Sequence, residues 1–279
     1  KSPILITRPN QGAGGLYQKV SVPCGSCGQC LSTKRNEWTF RLKEEKRSHT
    51  YAHFITLTYD DENLPKTKKG YSTLVKSDLQ KFIKRLRDYQ DRIVGSPLKI
   101  RYYAVGEYGL QTWRPHYHLI TFSTEQDTIA NIRKIWTDGN VKIGDVTPAS
   151  IHYCTKYFIN YQEIKENVSD QELPFTLMSR RPGLGMAYLK RAGSWHKKTG
   201  NNYIVSDGQK GRMPRIFKDR IFTPYEKYKF YQEAMQTQNK NILDKLKKYD
   251  NYENPSRYFD EQKQARHESI IKNQNKQTL

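Results

Sequence analysis

Glu107, His116 and His118 fall within the stretch GEYGLQTWRPHYHLITF, with the carboxylate nine residues ahead of the first imidazole. Alternate residues of a strand point the same way, so His116 and His118 share one face while Tyr117 and Leu119 take the other. Gly109, Arg114 and Pro115 make a turn-rich loop between two strand-like runs. If the runs pair as a hairpin, Glu107 comes to the histidine end and adds an oxygen ligand. Two imidazoles and a carboxylate leave coordination positions open, which is what a metal needs to polarise a phosphate oxygen. An H-x-H pair arises readily by chance, and two histidines on the solvent face of a strand are the plain alternative, so the surroundings must decide.

A second group lies downstream. Thr147-Pro148 suits the N-cap and first position of a helix that continues ASIHYCTKYFINY. At about 100° per residue, Ile151, Cys154 and Phe158 fall on one face, and Tyr153, Lys156, Tyr157 and Asn160 on the opposite one. A phenolate can attack a phosphodiester when a metal withdraws charge from phosphorus and a nearby cation steadies the developing charge. Tyr153 and Tyr157 are the candidate nucleophiles and Lys156 the cation; a solvated helix face carrying amphipathic tyrosines is the alternative. Asp60, Asp61 and Glu62 form an acidic cluster at a strand end, either a further ligand source or a solvated loop.

Cys24, Cys27 and Cys30 follow a C-x2-C-x2-C spacing. In a reducing compartment such thiols are more often ligands than disulfides. A structural Zn²⁺ would need a fourth ligand, for which Cys154, His49 and His53 are the candidates. Free thiols in a loop are the competing reading.

The elements that must position these groups can be read from periodicity. A helix is expected over 31–47, with Leu31, Trp38 and Leu42 on one face, then a strand over 51–59. Ser77 is the expected N-cap of a helix whose Leu79, Phe82, Ile83 and Leu86 oppose Lys81, Lys84, Arg85 and Arg87. Strands at about 99–107 and 116–123, a helix near 126–136 and a strand near 140–146 complete the series. Strand, helix, strand, strand, helix, strand is the split βαβ, ferredoxin-like order, so the fold class is α+β: an antiparallel sheet with helices on one face and the other face open around the site. Four segments are expected: residues 1–48 with the cysteines and first helix, a core over 49–165, a basic accessory region over 166–235, and a polar, partly disordered tail over 236–279. Asn201-Asn202 and Asp207-Gly208 read as turns with short strands between, and helical sequence begins near Pro224, giving a C-terminal helical extension.

Lys and Arg number 48 against 28 Asp and Glu, a net charge of +20 over 279 residues, which suits a polyanionic partner. Twenty tyrosines and four tryptophans offer surfaces for stacking unpaired bases, although many must fill the core. Arg180, Arg181, Lys190, Arg191, Lys197 and Lys198, interleaved with Tyr188 and Trp195, either extend a nucleic-acid surface or form a solvated basic face. No apolar run reaches the length of a membrane span, so a soluble, intracellular protein is expected. The chain begins at Lys1 rather than Met, which leaves a preceding segment open.

FITLTY (54–59), RPHYHLITF (114–122) and YCTKY (153–157) occur in the order and spacing of motifs I, II and III of the HUH endonucleases, metal-dependent nickases with a ferredoxin-like fold and a tyrosine nucleophile. The wider text resembles the replication initiators of gokushovirus-type microviruses, which are single-stranded DNA bacteriophages: VPCGSCGQC at 22–30, TLTYDDENLP at 56–65, GEYG at 106–109 and SRRPGLG at 179–185. The likeness spans roughly residues 20–225, and one departure is Cys154, where a small residue or valine is expected. The resemblance implies that His116, His118 and Glu107 hold Mg²⁺ or Mn²⁺. It further implies that Tyr153 or Tyr157 cuts single-stranded origin DNA through a 5′-phosphotyrosine link, leaving a 3′-OH for the host polymerase, and that the other tyrosine later helps release and rejoin the circle. Host DNA polymerase and helicase would be partners and the host bacterial cytoplasm the place of action. Lys84, Arg85, Arg114, Arg180 and Arg181 are candidate DNA contacts. A non-catalytic, zinc-stabilised nucleic-acid-binding module and an HUH transposase or relaxase are the other readings.

Overall fold

The computed structural model describes residues 4–9, 17–109, 111–165, 170–247 and scattered positions between 254 and 269; the side chains of residues 4–21, 157–165 and 245 lie outside that description. In chain order the elements are β1 (Ile4–Pro9), β2 (Tyr17–Val22), α1 (Gly28–Arg47), β3 (Ala52–Tyr59), α2 (Lys76–Tyr89), β4 (Arg101–Tyr108), β5 (Pro115–Phe122), α3 (Gln126–Ala130), α4 (Ile132–Ile135) and β6 (Gly139–Asp145). There follow α5 (Pro148–Lys165), β7 (Phe175–Met178), α6 (Ala187–Thr199), β8 (Tyr203–Ser206), β9 (Gln209–Arg212), α7 (Arg215–Ile221) and α8 (Pro224–Leu246). Two units emerge, residues 35–194 and residues 1–34 with 195–279.

Within residues 35–194 five strands form an antiparallel sheet in the order β6-β3-β5-β4-β7. The first four strands of that order, with α2 and the α3–α4 pair between them in sequence, are the split βαβ arrangement; β7 extends the β4 edge. Strand alternation sorts the side chains. Ile55, Leu57, Tyr59, Ala104, Tyr117 and Leu119 bury against Leu79, Phe82, Ile83 and Leu86 of α2 and Ile132 and Ile135 of α4, with Trp136 just beyond α4. Burying each such side chain fully contributes about 1.5–3 kcal/mol. The opposite face, left to solvent by the sequence reading, is instead covered by α1 and α5. There Leu42, Ile151 and Cys154 pack on Tyr103, Val105, Ile120 and Phe122.

Several local expectations are corrected. Ser77 is not the N-cap of α2; Val75 is, and no side chain of its own caps the helix. The Tyr117 hydroxyl fastens that cap residue to the sheet, accepting the Val75 N–H at 2.9 Å and donating to Val75 O at 3.0 Å. Tyr59 adds a bond to Asp78 Oδ2 in the first turn at 3.0 Å. The helix expected over 126–136 is broken at Asn131, whose side-chain amide donates to Asp127 O at 2.9 Å and competes with the helical ladder. Helix α1 begins at Gly28 rather than Leu31 and buries Glu44 and Glu45 along with Leu42. At the start of β6, Gly139 has φ +155°, and a Cβ there would stand 2.2 Å from Thr58 O, so only glycine lets β6 run this close to β3.

The other unit holds an antiparallel β1–β2 hairpin and the β8–β9 hairpin, which turns at Asp207–Gly208 as expected. Helix α8 opens with a reciprocal cap: Glu226 Oε2 accepts the Thr223 N–H at 2.7 Å, and Thr223 Oγ1 accepts the Glu226 N–H at 3.3 Å. Lys197 pairs with Glu226, and Phe222 meets Phe230 edge-on at 4.9 Å. Helix α8 carries the chain past residue 236 to Leu246, so the first part of the expected polar tail is helical; most of the remainder lies outside the described residues.

Candidate metal and tyrosine site

Strand register brings the first group together. Glu107 on β4 stands directly opposite His116 on β5, and His118 is opposite Val105 on one side and Thr56 of β3 on the other. Directly paired residues carry Cβ atoms roughly 5 Å apart on the same face. Glu107, His116 and His118 therefore offer three ligand atoms within 4.8 Å of one another. Glu107 is 1% exposed and His118 7%, while His116 sits at the rim. Such burial is costly for a carboxylate unless something compensates it.

The hydrogen bonds around the group fit a cation. His116 Nδ1 lies 3.0 Å from Arg114 O, which can only accept, and its Nε2 lies 2.9 Å from Glu107 Oε1. His118 is braced likewise, with Nδ1 2.9 Å from Thr56 Oγ1. Its Nε2 lies 2.9 Å from Glu107 Oε1 but out of line for a hydrogen bond, and both that nitrogen and Glu107 Oε2 are buried with no hydrogen-bond partner. Two imidazoles gathered on a buried carboxylate, with His118 Nε2 and Glu107 Oε2 unsatisfied, form a donor set that a positive ion completes. Burial pushes Glu107 up, but the two imidazoles outweigh it and hold the carboxyl at about 2. Burial lowers His118, which keeps the ring neutral and ready to donate its lone pair.

Tyr153 on α5 reaches the same carboxylate, its hydroxyl donating to Glu107 Oε1 at 2.7 Å. Its ring meets His118 edge-on at 4.8 Å and Phe54 at 6.4 Å, while Phe54 stacks on His118 at 5.5 Å. Tyr153, 200° around the helix from Ile151, reaches the group that the sequence reading set it beside. Lys156 Nζ sits 3.9 Å from the centre of the Tyr153 ring. Burial, then the Glu107 charge, raises the Tyr153 phenol well above the usual range, and burial lowers Lys156. Thr147 caps α5 as expected, its Oγ1 accepting the Ser150 N–H at 3.2 Å. Tyr157 is on α5, with its side chain outside the described residues, as is that of Phe158.

Other candidates are placed differently. Arg114 donates to Tyr59 O at 2.7 Å and pairs with Asp61 at 2.7 Å, so it ties β5 to the end of β3. Asp60 accepts from Asn63 in its own loop, and none of Asp60, Asp61 and Glu62 joins the Glu107 group. Lys84 and Arg85 on α2, and Arg180 and Arg181 beyond β7, are exposed. The last two line an open cleft of about 930 Å³ with Arg87, Lys99 and Arg101. Cys24, Cys27 and Cys30 also converge within 4.8 Å, and the Cys24 thiol is lowered to about 6 by the Ser26 and Cys27 amides. The fourth ligands expected for them are engaged elsewhere. Cys154 is buried in the sheet core, His49 lies between Ser123 and Glu45, and His53 lies against Thr124 O. Sequence reasoning missed Phe54 and Thr56, although the alternation of FITLTY puts both on the face that β5 presents.

Residues 52–162 match the family model of the ORF2-type replication-associated protein. The replication-associated protein ORF2 of Spiroplasma virus 4 is 29% identical over 260 residues, covering 83% of this chain and 80% of its own length. The replication-associated protein VP4 of Bdellovibrio phage phiMH2K is 26% identical over 242 residues, with 80% and 74% covered. The replication-associated protein ORF4 of Chlamydia phage 1 is 29% identical over 225 residues, with 72% and 53% covered. No solved structure matches the chain. Among the described residues no helix is long and apolar enough to cross a membrane.

Proposed function

From the premise that this chain is a relative of the replication-associated proteins of gokushovirus-type phages, we propose that it is a rolling-circle replication initiator that cuts and rejoins single-stranded origin DNA with Tyr153 as first nucleophile. The observation that carries this is the Tyr153 hydroxyl, 2.7 Å from a carboxylate it shares with two imidazoles.

Glu107, His116 and His118 would hold Mg²⁺ or Mn²⁺, which supplies charge withdrawal at the scissile phosphate and leaves room for its oxygens. The chain's own residues do the rest. Glu107 orients the phenol by accepting its hydrogen bond, and Phe54 with the His118 ring walls it from water. Tyr153 Oη bonds to phosphorus as the P–O3′ bond breaks; the phenol proton passes to solvent, and the leaving oxygen takes a proton to become the 3′-OH. Lys156 steadies the negative charge that develops on the phenol. The product is a 5′-phosphotyrosine ester and a 3′ end that a host polymerase in the bacterial cytoplasm, with a helicase ahead of it, can extend. Attack of a later 3′-OH on that ester reverses the bond exchange, so joining needs no ATP. Tyr157, one turn along α5, is placed in sequence to make the second cut.

The test is to incubate the protein with Mn²⁺ and labelled single-stranded oligonucleotides tiling a gokushovirus-type genome, and to resolve the products on a denaturing gel. A protein–oligonucleotide adduct, absent with EDTA and in Tyr153→Phe, is expected. Binding of every oligonucleotide without an adduct would instead point to a non-catalytic binding module.

A further inference from the structure

The replication reading makes no use of Cys24, Cys27 and Cys30. They lie at the junction between β2 and α1, and their sulfurs stand within 4.8 Å of one another with all three residues partly open to solvent and none in a disulfide. Cys24 Sγ accepts the Cys27 amide at 3.2 Å and the Ser26 hydroxyl at 3.8 Å. The Cys27 carbonyl takes the Leu31 N–H at 2.9 Å, so Cys27 stands at the start of α1 and Cys30 lies in its first turn, where unpaired helix N–H groups favour negative charge. Three sulfurs gathered this closely at the start of a helix, none of them in a disulfide, form a donor set suited to a soft metal ion.

We propose that Cys24, Cys27 and Cys30 bind one zinc ion as a three-thiolate site whose fourth position is filled by water. Tetrahedral zinc with bonds near 2.3 Å sets its sulfurs about 3.8 Å apart, within reach of the observed spacing. Among the described residues no fourth donor joins the group. A four-thiolate site has no fourth cysteine at hand, since Cys154 is fully buried in the sheet core. Zinc accepts an oxygen in that position. The site stands apart from Glu107, His116 and His118 in donor chemistry: soft sulfur there, nitrogen and carboxylate oxygen here.

The experiment is elemental analysis of the full-length chain purified without air or added metal, beside Cys24→Ser, Cys27→Ser and His116→Ala/His118→Ala variants. About one zinc per chain is expected, released in step with a thiol-binding mercurial, kept by the histidine variant and lost from either cysteine variant. Retention by the histidine variant holds whether or not the protein cuts DNA, so the two readings fail separately. Because a cysteine variant can fail to fold, cobalt is also exchanged into the wild-type chain, where thiolate charge-transfer bands with strong tetrahedral bands are expected. Iron with acid-labile sulfide, a Cys24–Cys27 disulfide on peptide mapping, or metal-free thiols that react at the rate of a free thiol would each overturn the proposal.

Discussion

Glu107 Oε1 is the most crowded atom of the site, with Tyr153, His116 and His118 all within 2.9 Å of it. Replacing both histidines with alanine is expected to abolish cutting while leaving most single-stranded DNA binding, measured by gel and by fluorescence anisotropy on the same oligonucleotide. Cutting that survives would remove the metal from the mechanism. Tyr153→Phe should lower the first cut by at least about 1,000-fold, since a nucleophile has no substitute, whereas Tyr157→Phe should spare the first cut and impair joining. The pH profile follows from the environment of Tyr153. Burial and the Glu107 charge hold the phenol protonated, so the phenolate fraction, and with it the rate, should climb by up to about tenfold per pH unit through the neutral range. A flat profile would mean that deprotonation of the phenol does not limit the cut.

At the scale of elements, α1 is anchored through Glu45, which is buried, pairs with Arg101 on β4, lies 3.1 Å from His49 and accepts the Gly185 N–H at 2.6 Å. Gly185 belongs to the SRRPGLG segment; its φ is +76° and a Cβ would meet Arg41 O at 2.7 Å, so the segment lies flat on α1. Arg41 donates to Leu184 O at 3.0 Å and Arg101 to Pro182 O at 2.9 Å, completing the clasp. Glu45→Ala leaves the half-buried Arg101 and the Gly185 N–H without their carboxylate and should cost about 1.5–3 kcal/mol in chemical denaturation. Burial raises the Glu45 carboxyl, but His49, Arg101 and the Gly185 amide together carry it below its ordinary 4.5. A depressed carboxyl stabilises the fold above that value and loses the contribution as pH falls through it. Glu45→Gln should therefore flatten the drop in stability below pH 4.5, and an unchanged slope would assign the drop to other acids. Gly139→Ala should cost about 3 kcal/mol by forcing β6 away from β3.

At the scale of the molecule, the +20 charge has to meet an anion, and phosphate contacts make binding salt-dependent. A plot of log affinity against log salt should have a slope of about −4 for six single-strand phosphate contacts. The exposed Arg180 and Arg181 should each reduce that slope by somewhat less than one unit on replacement with alanine, without changing the position of the cut. If the slope stays the same, the cleft they line does not carry DNA. Arg114 should behave otherwise: its guanidinium is occupied by Tyr59 O and Asp61, so Arg114→Ala is expected to lower thermal stability more than DNA affinity.

Periodicity alone determined the β-α-β-β-α-β order and the two-residue alternation that puts His116 and His118 on one face, because both depend on contacts a few residues apart. Motif order along the chain pointed to the phage replication proteins because residue types and their order are carried by the sequence itself. Tertiary structure decided what depends on distant partners. The cap position of α2 fell to Val75, held from the sheet by the Tyr117 hydroxyl, and α1 and α5 closed the face expected to be open. The packing of α5 on the sheet set the Tyr153 hydroxyl on Glu107, and the proposed fourth ligands of the cysteine group were drawn into other contacts. A side chain's neighbours along a helix or strand are fixed by local geometry; whether it meets water, a carboxylate or another element is fixed only when the sheet pairs and the helices pack.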